Sequence, residues 1–316
     1  MTILETKEIR KILRDIETEA SMPSNSNKKA RTQTMENVIH GVFLLLGLIT
    51  VGCVLLITVY LVISGIPAIR EIGLGYFLFG KEWASTAPEP KYGILPFILT
   101  SVYGTAGAIL IGVPIGFMTA VYLSKLASPK VKSVMQSAVS LLAGIPSVVY
   151  GLVGMLVLVP SIRKIFNVPD GASLLAAIIV LAIMILPSII KMSITALDAV
   201  PKEYEDASLA LGATPIETYF KVSVPAAKSG IAAAVVLGVG RAIGEAMAVM
   251  MVAGNVPNMP DSLFQSVRFL TTAVSSEMAY SSGLQRQALF SIALVLFLFI
   301  MLINATLNFF LKREKE

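Results

Sequence analysis

Apolar residues in this chain collect into six long blocks, at about 38–64, 94–123, 133–160, 172–193, 229–253 and 287–311, and most polar residues lie between them. A helix needs about 20 mostly apolar residues to cross the hydrocarbon layer. Each block meets that length. The pattern therefore predicts an all-α integral membrane protein with six transmembrane helices and both termini on one side. Ser64-Gly65-Ile66-Pro67 is expected to stop the first helix and Ser128-Pro129 to open the third. The second block is longer than a perpendicular crossing requires and carries Pro114 between Gly112 and Gly116, which predicts a tilt or kink. Gly144 and Pro146 in the third block and Pro187 in the fourth repeat this pattern. Singly, each reads as a bend that fits helices together, its freed backbone groups satisfied by a neighbouring helix or a wet cavity.

Composition supports the membrane reading. Charged residues make up 14% of the chain and apolar ones 55%, against about 25% charged in soluble domains; the mean hydropathy is +0.79. The 25 Lys and Arg outnumber the 20 Asp and Glu, but they are bunched between apolar blocks and report orientation, not a nucleic-acid face. Sorted by loop, 17 fall on the side of the termini and 7 on the opposite face, with Arg241 inside a span. The positive-inside rule then makes both termini cytoplasmic in a multi-pass protein of the cytoplasmic (inner) membrane. One cysteine, Cys53, and one histidine, His40, exclude a disulfide and a Cys/His metal centre. The polar first 36 residues have no apolar core and small-residue cleavage site, so no signal peptide is expected to be removed.

Two outer connections are long. Residues 65–92 carry Tyr76, Phe77, Phe79 and Trp83, read as interfacial anchors, and 254–286 is expected to hold a short helix around 262–278. The cytoplasmic connection 194–228 reads as two short helices. Pro201 opens the first, acidic residues fill its first turns, and Gly212 is placed for a left-handed stop. Tyr204, Ala207 and Leu211 share one face. Thr214-Pro215-Ile216-Glu217 then spells a capping box with Thr214 as N-cap. A preformed helical hairpin on the cytoplasmic face is a candidate docking element, or else lies on its own bundle.

Asp206-Ala207-Ser208, then Gly212, then Val222-Ser223-Val224-Pro225 resembles the Glu-Ala-Ala-x3-Gly-x9-Ile-x-Leu-Pro motif of ABC importer permeases of the type I, MetI-like architecture. The spacing matches at every anchor; Asp replaces Glu, Ser the second Ala, and Val both Ile and Leu. The resemblance spans about residues 94–311. It implies a coupling helix that fits a groove on a cytoplasmic ATPase, with Glu205, Asp206, Ala207, Gly212 and Pro225 as the coupling residues. The expected organisation is a cytoplasmic tail over 1–36, a first helix and outer loop over 37–93, a five-helix permease core over 94–311 containing the coupling loop 194–228, and a cytoplasmic tail over 312–316.

The fifth block is apolar except for Arg241 and Glu245, four residues apart and so expected on one helix face. A charge at mid-span costs about 2.5–3.5 kcal/mol, which points both side chains inward. They are either an ion pair locking helices together or an oxyanion site, with Arg241 supplying always-charged donors and Glu245 holding the guanidinium so that binding stays reversible. Gly238, Gly240 and Gly244 do not make a dinucleotide loop, since no strand precedes them; Gly240 and Gly244 read as a GxxxG contact for a second helix. Gly240-Arg241-Ala242-Ile243-Gly244-Glu245-Ala246-Met247-Ala248-Val249, Ala253-Gly254-Asn255 and Gly144-Ile145-Pro146-Ser147-Val148-Val149-Tyr150-Gly151-Leu152 resemble the phosphate-importer branch, PstC-type. That resemblance implies inorganic phosphate as substrate, a heterodimer with a paralogous permease, an ATPase dimer below and an extracytoplasmic phosphate-binding protein above. Ser147 and Tyr150 are the second place to look for substrate contacts.

No GxxxxGK[ST] occurs, so ATP and Mg are assigned to a partner ATPase and no cofactor, catalytic residue or metal site to this chain. The alternatives are a permease for another oxyanion such as sulfate or molybdate, an ion-coupled carrier, and a membrane enzyme acting on lipid phosphates. The last needs clustered carboxylates or a nucleophile with its base, and the spans hold a single carboxylate.

Overall fold

The computed structural model describes residues 26–313. The expected N-terminal tail falls outside the described residues up to residue 25, and the C-terminal tail from residue 314. The chain divides into two units between Tyr60 and Leu61. The first is the membrane-crossing stretch of helix α1 (Ser26–Ile72), whose apolar side chains from Val38 to Tyr60 are exposed in the isolated chain. A helix apolar all round is suited to lipid or to other helices.

The second unit begins in the last turns of α1, and here the expected stop at Ser64–Pro67 is corrected. The helix runs through Pro67 to Ile72, and Gly73, at φ 88°, ends it. Gly65 and Ala68 pack against α14 (Gly283–Arg313), and Ser291 on that helix donates its hydroxyl to the Gly65 carbonyl at 2.6 Å. Support from a neighbouring helix is what makes an interior proline tolerable.

After α2 (Leu74–Phe79), strands β1 (Trp83–Ala84) and β2 (Lys91–Tyr92) form a small antiparallel hairpin with Trp83 opposite Tyr92. Helix α3 (Leu95–Val121) continues into a π-helical turn at Tyr122–Leu126. Helix α4 (Pro129–Gly144) is followed by α5 (Ser147–Val153), a π-helical turn and α6 (Val159–Phe166), which together make one apolar rod. Helix α7 (Leu174–Asp198) lies at the centre, packed on α3 and on α11 (Lys228–Gly244). The helical hairpin that follows is α8 (Lys202–Ala210), α9 (Pro215–Thr218), a π-helical turn and α10 (Val224–Ala226). Helices α11 (Lys228–Gly244), α12 (Met247–Val252) and α13 (Leu270–Glu277) complete the set.

Among the described residues five helices are long and apolar enough to cross a membrane, and a sixth crossing results if the pair bent by 71° at Ala227 counts as one. This is the all-α architecture expected, with two spans redrawn. The block 133–160 is broken at Ile145-Pro146, both extended, so the crossing segment is Ser147–Phe166 and α4 is a separate helix. The block 229–253 is broken after Gly244. By contrast α3 and α7 run unbroken through Pro114 and Pro187. The glycines flanking Pro114 serve packing: a Cβ at Gly112 or Gly116 would stand 2.7 Å or 2.9 Å from side-chain carbons of Ile185 or Ile189 on α7. Their absence lets two central helices approach closely.

Outside the bundle, Trp83 and Phe77 are corrected from interfacial anchors to core residues. Both are buried with Tyr92, Phe97, Leu270 and Leu289, whereas Tyr76 and Phe79 remain exposed. The helix expected at 262–278 is confined to Leu270–Glu277.

Candidate functional site

The hairpin α8–α10 is built as its sequence dictates. Thr214 and Glu217 cap α9 reciprocally, the Thr214 N–H donating to Glu217 Oε2 at 3.2 Å and the Glu217 N–H to Thr214 Oγ1 at 3.4 Å. Gly212 turns the chain at φ 87°, a conformation a side chain resists. Helix α8 buries none of its residues; Tyr204, Ala207 and Leu211 face outward, Leu211 being 90% exposed. Large exposed apolar groups on a surface that is otherwise polar mark a contact face. Asp206 and Pro225 are exposed too. Glu205 turns the other way: its Oε1 lies 2.6 Å from Lys125 Nζ and accepts the Ser223 hydroxyl at 2.8 Å, with the charged side chains only 11% and 17% exposed. Ser208 and Thr218 share a hydrogen bond of 2.9 Å across the hairpin. Of the five expected coupling residues, Glu205 thus anchors the element while Asp206, Ala207, Gly212 and Pro225 are presented on it.

Arg241 lies in the last turn of α11, half-buried, with Nη1 3.5 Å from Ser188 Oγ on α7. The expected face shared with Glu245 does not exist, because the helix ends at Gly244 and Glu245 is extended at φ −74°, ψ 128°. Side chains four apart meet only while the helix continues between them. Glu245 Oε1 instead accepts the Ala248 N–H at 3.0 Å at the start of α12, and its carbonyl accepts the Thr271 hydroxyl at 2.8 Å. Among the described residues Arg241 has no carboxylate partner. No helix among the described residues packs on the GxxxG pair: a Cβ at Gly240 or Gly244 would meet nothing within 4 Å, so that side of the helix is open.

Ser147 starts α5, directly after the break at Pro146. Tyr150 bridges that break, its hydroxyl donating to the Leu142 carbonyl at 2.8 Å. Helix α5, which carries Tyr150, packs on α12, whose first turn is capped by Glu245, and Arg241 stands in the last turn of α11 just before the break. A guanidinium that no carboxylate neutralises can hold an oxyanion.

Sequence reasoning missed three supports. Ser188 could have been noticed as a lone hydroxyl beside Pro187 in an apolar run. Thr271 and the outer cluster around Glu277 carry no local signal. Glu277 accepts from Trp83 Nε1 at 3.2 Å, Ser85 Oγ at 3.0 Å, Gln285 Nε2 at 3.1 Å and Arg268 Nη1. Arg268 in turn donates to the Asn255 carbonyl through Nε at 3.0 Å and Nη2 at 2.8 Å.

Residues 112–315 match the family model described as the inner membrane component of binding-protein-dependent transport systems. A probable ABC transporter permease protein, YqgH of Bacillus subtilis, is 42% identical over 82% of this chain and 86% of its own length. The phosphate transport system permease protein PstC of Haemophilus influenzae is 33% identical over 87% of this chain and 93% of its own. Among solved structures, a bacterial alginate ABC transporter chain aligns over 89% of this chain and 98% of its own, with a TM-score of 0.62 at 15% identity. A chain of the methionine transporter MetNI aligns over 70% and 96%, with a TM-score of 0.55 at 20% identity.

Proposed function

We propose that inorganic phosphate is the ion this chain translocates, proceeding from the fact that the chain belongs to the family of inner-membrane components of binding-protein-dependent transport systems, the ABC importer permeases. The observation that carries the proposal is the guanidinium of Arg241, held in a span at the point where the helix breaks and left without a carboxylate partner among the described residues. An Arg so placed costs free energy unless an anion meets it. The relatives named as phosphate transport permeases favour phosphate over sulfate or molybdate.

In this reading the open side at Gly240 and Gly244 receives a paralogous permease, and the exposed face of α8 docks on an ATPase dimer that holds ATP and Mg. An extracytoplasmic phosphate-binding protein delivers the ion to the outer loops. Both termini are cytoplasmic, as the distribution of Lys and Arg requires. Glu245 sets the geometry of the break through its bond to Ala248 and does not neutralise the guanidinium.

The test is uptake by the full importer reconstituted in liposomes, with phosphate, sulfate and molybdate in competition. Phosphate uptake that needs ATP inside and resists excess sulfate and molybdate is expected. Preference for either of the other ions overturns the phosphate assignment, and uptake that persists on a membrane potential without ATP overturns the ATP-driven one.

A further inference from the structure

Helix α7 is apolar from Leu174 to Pro187, then presents Ser188, Lys191 and Thr195 at intervals of three and four. Those intervals put the three on one face. The face is not spent on packing. A cavity of about 290 Å³ is lined from α7 by Lys191 and Thr195 and from α4 by Gln136 and Ser140, its apolar wall being Val139, Ile190 and Ile194. It adjoins a larger groove of about 700 Å³ that shares Gln136 and Ser140 and runs along α4 past Ser133 to Lys132. At its mouth Lys132 Nζ lies 2.9 Å from Asp198 Oδ2, and Ser124 Oγ lies 2.6 Å from Asp198 Oδ1.

Three features make this more than a solvated helix end. Lys191, like Lys130 and Lys202 of the same end, has no carboxylate partner among the described residues, and it lines the cavity. No side-chain hydrogen bond occupies Gln136 or Ser140 among the described residues. Ser188, the Arg241 contact, begins the stripe. With a rise of about 1.5 Å per residue, Lys191 lies roughly 4.5 Å nearer the cytoplasm than Ser188, and Thr195 another 6 Å.

We infer that Lys191, with Gln136, Ser140 and Thr195, forms a second oxyanion station, on the route from Arg241 to the cytoplasm. This rests on the oxyanion reading of Arg241. The residue types fit a release step. Arg gives a planar fork that holds an oxyanion bidentately, whereas Lys gives a hydrated point charge on a flexible stem. Passage requires several weak sites in series and not one strong one. An ammonium one turn beyond Ser188, with amide and hydroxyl groups opposite, receives an ion leaving Arg241 and lets it go.

The test uses the whole importer in liposomes, with inorganic phosphate as the probe. In a Cys53→Ser background, Lys191→Cys is expected to lower phosphate uptake at least fivefold while stimulated ATP hydrolysis stays within twofold. Aminoethyl methanethiosulfonate, which restores an ammonium at the position, is expected to recover at least half of the lost uptake, and the sulfonatoethyl reagent to depress it further. Unchanged uptake in Lys191→Cys, or the same response to both reagents, overturns the proposal. If that variant assembles poorly, Gln136→Leu with Ser140→Ala is the second test; there too at least a threefold loss is expected, and undiminished uptake overturns the station. Arg241→Met separates this inference from its premise. Uptake lost there but normal at position 191 removes the station alone, whereas normal uptake in both variants removes the oxyanion reading itself.

Discussion

Lys125 and Glu205 meet at 2.6 Å across the joint between the end of α3 and the hairpin α8–α10, both largely shielded from water. Glu205 also takes the Ser223 hydroxyl, so one carboxylate ties three segments together. Breaking a shielded pair by removing one partner leaves an uncompensated charge, at a cost of about 3 kcal/mol. Lys125→Met is therefore expected to loosen the hairpin, seen as protease cleavage within 199–228 and weaker co-purification of the ATPase. Lys125→Met with Glu205→Gln removes both charges and is expected to recover much of the loss.

Gly212→Val tests the turn between α8 and α9. A β-branched residue at φ 87° is strained by about 1–3 kcal/mol. The variant is expected to insert in the membrane and to hydrolyse ATP with its partners but to import several-fold less. Wild-type import would mean that the hairpin does not transmit closure.

Thr271 holds the broken helix from outside through its bond to the Glu245 carbonyl. Thr271→Val keeps the shape and removes the donor, leaving a shielded acceptor unpaired at about 1–3 kcal/mol. Uptake is expected to fall several-fold in Thr271→Val and to be largely kept in Thr271→Ser.

Glu277→Ala is expected to unfasten the outer hairpin, since it strips the acceptor from Arg268, Trp83, Ser85 and Gln285 together. Trp83 is the chain's one tryptophan, so its fluorescence reports the change directly. A red-shifted emission and a lower unfolding midpoint are predicted for the purified protein.

How legible these features were in the sequence follows how local their causes are. The Thr214–Glu217 capping box and the left-handed Gly212 depend on residues within a few positions of each other, and both stand where the sequence placed them. The long apolar helices follow from periodicity and length. Pro67 did not end its helix because Ser291, more than two hundred residues away, supports that segment. Trp83 was misread for a similar reason: its acceptor Glu277 is 194 positions distant. Arg241 and Glu245 were found by their rarity within a span, but their relation was not, since Gly244 ends the helix between them.

Phosphate uptake against ATP hydrolysis in Arg241 variants is the most direct measure of the central claim. Arg241→Lys keeps the charge and loses the fork. It is predicted to assemble with its partners, to retain basal ATP hydrolysis and to import at least tenfold less phosphate, with Arg241→Met lower still. Wild-type uptake by Arg241→Met with Glu245→Leu would contradict the account and move the search for the substrate site to Ser147 and Tyr150.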